Sequence, residues 1–149
     1  MKLDQNTVEH GSGADRWSDI TSTHFTVNQD NGTNNSSGTY LAMLFASCEG
    51  ISKLGYYSGT GSEHNITEVG FQPRFLMVRR SNAADNWVVW DSVRGFYTNY
   101  LAEQEELYLN ESQAQSDHDH RIKATSTGFS FEGSTYNVSG GKYIYYAHA

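Results

Sequence analysis

The sequence predicts an all-β fold, a two-sheet antiparallel β-sandwich of jelly-roll or concanavalin A-like type, and three observations lead there. Apolar and aromatic residues come in short runs, divided by clusters of Gly, Asn, Asp, Ser and Thr, the alternation of strands and turns. Ten Tyr, seven Phe and three Trp stand against a single Pro, a composition that suits pleated, half-buried surfaces. Helical periodicity is nearly absent; only residues 100–109, YLAEQEELYL, offer a short helix or an acidic loop.

The elements follow in chain order. Residues 25–27 (FTV) form a first short strand. Residues 40–45 (YLAMLF) are apolar on both faces and predict a central core strand. Residues 75–79 (FLMVR) and 87–91 (WVVWD) predict a hairpin around the polar loop 82–86, with Pro73 just ahead, where a missing N–H is tolerated. Residues 129–131 (FSF) and 143–147 (YIYYA) repeat the first two pieces. The expected core draws on Tyr40, Leu41, Leu44, Phe45, Phe71, Phe75, Met77 and Trp87, then Val89, Trp90, Phe129, Phe131, Tyr143, Ile144 and Tyr145.

The recurrence is an internal repeat. Phe25 matches Phe129, Gly38 matches Gly141, Tyr40 matches Tyr143 and Ala46 matches Ala149, with a period of about 104 residues. Residues 1–47 therefore read as the second half of one unit and 48–149 as a complete unit, and the two can pack as one globular domain. The chain is expected to be the C-terminal end of a longer tandem array, its opening MKLD more like the interior of a protein than a leader.

Charge and composition exclude several classes. A net charge of −7 and the absence of a basic stretch longer than Arg79-Arg80 argue against nucleic-acid binding. The longest apolar run, 41–46, is far shorter than the ~20 residues that span a bilayer, so no membrane insertion is expected. The single Cys48 forms no intrachain disulfide and no metal pattern, and is expected to be a packed thiol. No cofactor is implied.

Several turn-rich words in order, GYYSGTG (55–61), VGFQPRFLMVRRS (69–81), NWVVWDSVRG (86–95) and NVSGGKYIYYAHA (137–149), resemble a tandem β-rich module of virion structural and tail-fibre-like proteins of marine phages, often called concanavalin A-like. The resemblance covers nearly the whole chain. It implies a β-sandwich on a virion surface or in another extracellular setting, with no catalytic residues. Its implied partners are further copies of the chain or other virion proteins, and a host-surface glycan or protein. The implied role is host attachment by displayed loops. An alternative of another class is a self-assembling filament or trimer subunit, in which residues 1–47 donate strands to a neighbour.

Within WVVWDSVRG, strand parity sets Trp87, Val89 and Asp91 on one face and Val88 and Trp90 on the other. A sugar platform would stack Trp90 on a pyranose, with Asp91, Arg94 and Tyr97 beside it. The structural alternative, core tryptophans and an Asp91–Arg94 pair that pins the exit turn, is favoured because large aromatics dominate sandwich cores. Asp117, His118, Asp119 and His120 are the right types for a divalent metal. Adjacent residues of an extended chain point to opposite sides, so a solvated loop is favoured. Residues 30–34 (DNGTN) resemble the start of a calcium loop, but Leu41 stands where the bidentate Glu belongs. Glycosidase chemistry needs two carboxylates across a cleft; Glu103, Glu105, Glu106 and Glu111 cluster in one segment and read as a solvated face. Sequons at Asn31, Asn34, Asn35, Asn65, Asn110 and Asn137 read as turn vocabulary rather than glycan sites.

Overall fold

The structure, a computed structural model, describes residues 16–28, 30–99, 104–118 and 122–149. These fall into two compact units, 16–44 and 45–149. All secondary structure in them is β; no helix occurs among the described residues.

In the first unit, β1 (Trp17–Ser18) pairs with β2 (Thr26–Val27) in antiparallel register. The Arg16 guanidinium lies 3.5 Å from the Asp30 carboxylate, and the intervening turn is held by the Thr21 hydroxyl, which accepts the His24 N–H at 3.0 Å.

The second unit is a sandwich of two antiparallel sheets. Its strands are β3 (Ser52–Ser58), β4 (His64–Ile66), β5 (Phe75–Arg80), β6 (Val88–Asp91), β7 (Gln104–Tyr108), β8 (Ser116–His118), β9 (Ile122–Thr125), β10 (Gly128–Phe131) and β11 (Lys142–His148). The larger sheet runs β3-β11-β5-β6-β7-β8 and the smaller β4-β10-β9. The expected 75–79/87–91 hairpin is present as β5–β6, with Leu76 opposite Trp90 and Met77 opposite Val89. The last strand, β11, is central: it pairs with β3 over seven positions and with β5 over six.

Period-2 alternation sorts each strand between two faces. Leu76, Val78, Val88, Trp90, Tyr143 and Tyr145 face the smaller sheet, meeting Ile66, Ile122, Phe129 and Phe131 in the main core. Tyr57 and Tyr143 stack at 4.8 Å, and Phe129 meets Tyr145 edge-on at 5.2 Å, the geometries that ring quadrupoles favour. Close approach requires glycine at several positions, two of them inside strands. A Cβ at Gly128 would sit 1.9 Å from the Ile66 carbonyl, and one at Gly55 2.3 Å from the Tyr145 hydroxyl. The opposite face of the larger sheet carries a second cluster, Met77, Trp87 and Val89, with Arg79 over the Trp87 ring at 5.4 Å. Burial lowers the Arg79 pKa, and Asp85 opposes that shift.

Three expectations are corrected. Residues 40–45 form no strand, and the expected core residues Tyr40, Leu41, Leu44 and Phe45 are exposed, Leu41 to 89%. A strand is stabilised by the ladders beside it, and this segment has no paired neighbour. Residues 104–108 are a strand rather than a helix or acidic loop, because Gln104, Glu106 and Tyr108 alternate with Glu105 and Leu107 and β6 offers an edge. Cys48 is exposed rather than packed, at the isolated bridge to Ser52 that precedes β3.

Candidate functional site

The β6 exit turn tests the sugar-platform reading first. Strand parity points Trp90 into the main core, where it is 1% exposed against Phe131 and Tyr136, so its ring has no face for a sugar. Asp91 sits at the strand's end, and its carboxylate is fully occupied. Oδ1 accepts the Val93 and Arg94 N–H groups at 3.0 Å each, and Oδ2 takes the Arg94 Nε–H at 2.8 Å and an NH2 group. Burial opposes ionisation, but these donors together hold the Asp91 carboxyl below its ordinary value. The pair therefore pins the turn. Tyr97 remains 47% exposed, while its carbonyl accepts the Ala124 N–H at 2.7 Å and ties the turn to the smaller sheet.

The acidic segment, expected as a solvated face, instead buries its central carboxylate. Glu106 is 1% exposed because β7 parity turns it inward with Gln104 and Tyr108. The Tyr136 hydroxyl lies 2.9 Å from both carboxylate oxygens, and the Tyr108 hydroxyl donates to Oε1. Tyr136 reaches this position from a left-handed backbone at φ 53°, a strain of roughly 1–2 kcal/mol that the hydroxyl contacts offset. Burial, then Glu106, pushes the Tyr108 phenol up to about 12 and raises Tyr136 as well. Gln104 clips the two sheets together, donating to the Ile122 carbonyl at 2.6 Å and accepting the Ile122 N–H at 2.8 Å. The repetition of polar and aromatic residues at i, i+2, i+4 in QEELY was the sequence signal for this inward face. Such a network rigidifies a core.

Asp117 and His118 lie in the backbone of β8, opposite Glu105 and Gln104. Asp119 and His120 fall outside the described residues, and no metal-holding cluster occurs among the described ones. Asn137 is completely buried. Its amide donates to the Thr60 hydroxyl at 3.1 Å and to the Ser62 and Gly133 carbonyls, and its Oδ1 accepts the Thr60 N–H at 2.9 Å and faces His64 Nδ1 at 3.2 Å. Asn110 is likewise engaged, accepting the Trp87 N–H at 2.7 Å.

One exposed surface is the segment expected to be core. The turn that leads into it matches the one that leads into β11. The Tyr40 hydroxyl accepts the Asn35 N–H at 2.9 Å, and the Tyr143 hydroxyl accepts the Val138 N–H at 3.1 Å. Gly38 N–H reaches the Asn35 carbonyl at 3.0 Å, as Gly141 N–H reaches Val138 at 2.8 Å. So the repeated words NNSSGTY and NVSGGKY close the same two hydrogen bonds, although Gly140 takes a positive φ of 74° and its counterpart Ser37 does not. After Tyr143 the chain enters a sheet; after Tyr40 it does not, and Leu41, Met43, Leu44 and Phe45 stay exposed.

A second exposed feature is the β3 edge, which sequence reasoning missed. Ser52 exchanges both backbone bonds with Cys48 at 2.9 Å, and the Leu54 N–H is taken by the Ser47 hydroxyl at 3.0 Å. By antiparallel alternation Tyr56 and Ser58 direct their peptide groups outward beyond that point. Tyr56 is 84% exposed, next to the exposed Leu54.

A family model described as a domain of unknown function, DUF7483, matches residues 1–149. No curated protein and no solved structure matches the chain.

Proposed function

We propose that this chain, which belongs to the DUF7483 family, is a non-enzymatic structural module of a virion appendage of the tail-fibre kind, built into an oligomer through residues 39–46. One observation carries this reading: a strand-grade apolar segment follows a turn with the same tyrosine and glycine hydrogen bonds as the one before β11, yet stands exposed. Exposed apolar runs of this kind mark association surfaces. A rigid sandwich repeated in an oligomer also suits multivalent display, which converts weak loop contacts into firm attachment. Light scattering of the full chain across a hundredfold dilution tests it. A mass above the monomer that falls on dilution is expected, and a monomer at every concentration would refute it.

A second reading, attachment of a host glycan or protein at the rim, is favoured by the β6 exit turn, which holds Val93 and Tyr97 out to solvent on a pinned loop. Its test is binding of the full chain to a glycan array, with loss of any signal in Tyr97→Ala.

A further inference from the structure

We propose that the free stretch of the β3 edge, Tyr56 to Ser58, pairs with the same stretch of a second copy of the chain about a two-fold axis. The two β3 strands run antiparallel, with Tyr56 opposite the partner's Ser58, Tyr57 opposite the partner's Tyr57, and Ser58 opposite the partner's Tyr56. The contact is separate from residues 39–46 and goes beyond the assembly reading above.

β3 is the terminal strand of the larger sheet. By antiparallel alternation Lys53, Gly55 and Tyr57 bond inward to β11, while Ser52, Leu54, Tyr56 and Ser58 turn their peptide groups outward. The first two of these are already engaged: Ser52 exchanges backbone bonds with Cys48 at 2.9 Å, and the Leu54 N–H goes to the Ser47 hydroxyl at 3.0 Å. Nothing among the described residues takes the outward groups of Tyr56 and Ser58, and both residues are exposed, Tyr56 to 84%. An open edge templates strand addition unless charge or proline blunts it, and residues 55–59, GYYSG, contain neither.

This open stretch is closed at both ends, and that selects its occupant. At one end the hook of Ser47 and Cys48 fills the space outside Ser52 and Leu54. At the other end β3 stops after Ser58. The Gly59 N–H reaches the Gly141 carbonyl at 2.8 Å, the Thr60 N–H reaches Asn137 Oδ1 at 2.9 Å, and the Gly61 N–H reaches the Asn137 carbonyl at 2.7 Å. These bonds curl the chain over the loop before β11. A longer extended segment laid along this edge would collide with the hook. A second β3 does not, because the residue opposite Leu54 is then the partner's Thr60, whose chain has already left the line of the strand. Each copy's curl thus clears the other copy's hook. Pairing 56 with 58 on both sides of the axis closes four backbone bonds and leaves no outward peptide group of the stretch unpaired.

The side chains agree with this register. Tyr56 stands on the sheet face away from the main core, and the two Tyr56 residues become diagonal neighbours across the axis, roughly 7–8 Å apart and within reach of aromatic side chains. A ring left in water in the single copy thereby gains an aromatic partner. So short a ladder buries less than the roughly 1,200 Å² of a stable dimer, and the contact belongs to the weak class. Weak contacts of this kind become firm where copies are held together in number.

The experiment uses the full chain in a Cys48→Ser background. Tyr56→Cys and Ser58→Cys are made separately, mixed at high concentration and oxidised. Opposed residues of a hydrogen-bonded pair lie about 5.5 Å apart at Cα, within the span of a disulfide. Ser58→Cys mixed with Val93→Cys is the control. A 56–58 heterodimer at least tenfold above control is expected, and it should persist when both chains also carry Leu41→Asp. In parallel, sedimentation of the Leu41→Asp chain should show a weak dimer. Tyr56→Pro removes one outward N–H per copy and no bond to β11, so it should raise that dimer's dissociation constant at least tenfold while the circular dichroism stays unchanged. A 56–58 yield equal to control, or a dimer indifferent to Tyr56→Pro, would overturn the edge contact and leave assembly through residues 39–46 to its own test. Loss of the product with Leu41→Asp would mean that the contact only follows from that assembly, and would overturn it as an interface of its own.

Discussion

Removal of the Asn137 carboxamide should unlatch the end of the sandwich where the β3–β4 loop meets the loop before β11. The side chain makes five hydrogen bonds, to the Thr60 N–H, the Thr60 hydroxyl, the Ser62 and Gly133 carbonyls and His64 Nδ1. A protein hydrogen bond contributes about 1 kcal/mol net, and a buried group left without a partner costs about 1–3 kcal/mol. Thr60 and Ser62 lie at the surface and can turn to water, so their share is discounted. Asn137→Ala should then cost roughly 3 kcal/mol. At this chain length that lowers Tm by roughly 10 °C. Asn137→Asp keeps the shape and the Thr60 N–H contact but turns an acceptor toward the Ser62 and Gly133 carbonyls, so it should be as costly at neutral pH and milder in acid. Urea unfolding with unchanged m-value checks both variants. A cost under about 1 kcal/mol for Asn137→Ala, or a neutral Asn137→Asp at pH 7, would refute the idea that this amide holds the loops. The same burial predicts that Asn137 stays unmodified when the chain is expressed through a glycosylating secretory route, which mass spectrometry of the peptide reads directly.

Three further outcomes are expected. The depressed Asp91 pKa gives stability that is fully present above the ordinary aspartate value of ~3.9 and is lost as pH falls through the lower folded value; Asp91→Asn should flatten that acid limb in pH-dependent melts. The raised phenols of Tyr108 and Tyr136 act in the other direction. Their contribution is complete below pH ~10 and is lost as pH rises past it, so ultraviolet titration should show late-ionising tyrosines, and Tyr136→Phe should shift the alkaline midpoint. Trp90 is deep in the core, but its indole N–H finds no hydrogen-bond partner among the described residues. Trp90→Ala should cost about 3–5 kcal/mol. Trp90→Phe should cost far less than that, because it removes an unsatisfied donor along with ring volume; a loss as large as that of Trp90→Ala would contradict this account.

What the sequence by itself determined is what local physics settles. The apolar runs 75–79 and 87–91 marked the hairpin, and strand parity sorted Trp87, Val89 and Asp91 from Val88 and Trp90, since side-chain period 2 is a property of any extended chain. Turn words such as NVSGGKY settled their own hydrogen bonds, because these close within a few residues, and so the same tyrosine and glycine bonds form at Tyr40 and Tyr143. The Asp91–Arg94 pair was legible for the same reason, being only three residues apart. Tertiary structure decided whatever depends on partners distant in sequence. Residues 40–45 and 143–147 carry equivalent apolar runs, yet only the second lies between two strands, so only the second becomes β11. The acidic residues of 104–106 looked solvated until β6 turned one side of them inward and Tyr136, thirty residues on, supplied the hydroxyl for Glu106. A ladder needs a neighbour and a buried charge needs a donor, and neither is written in the segment that requires it.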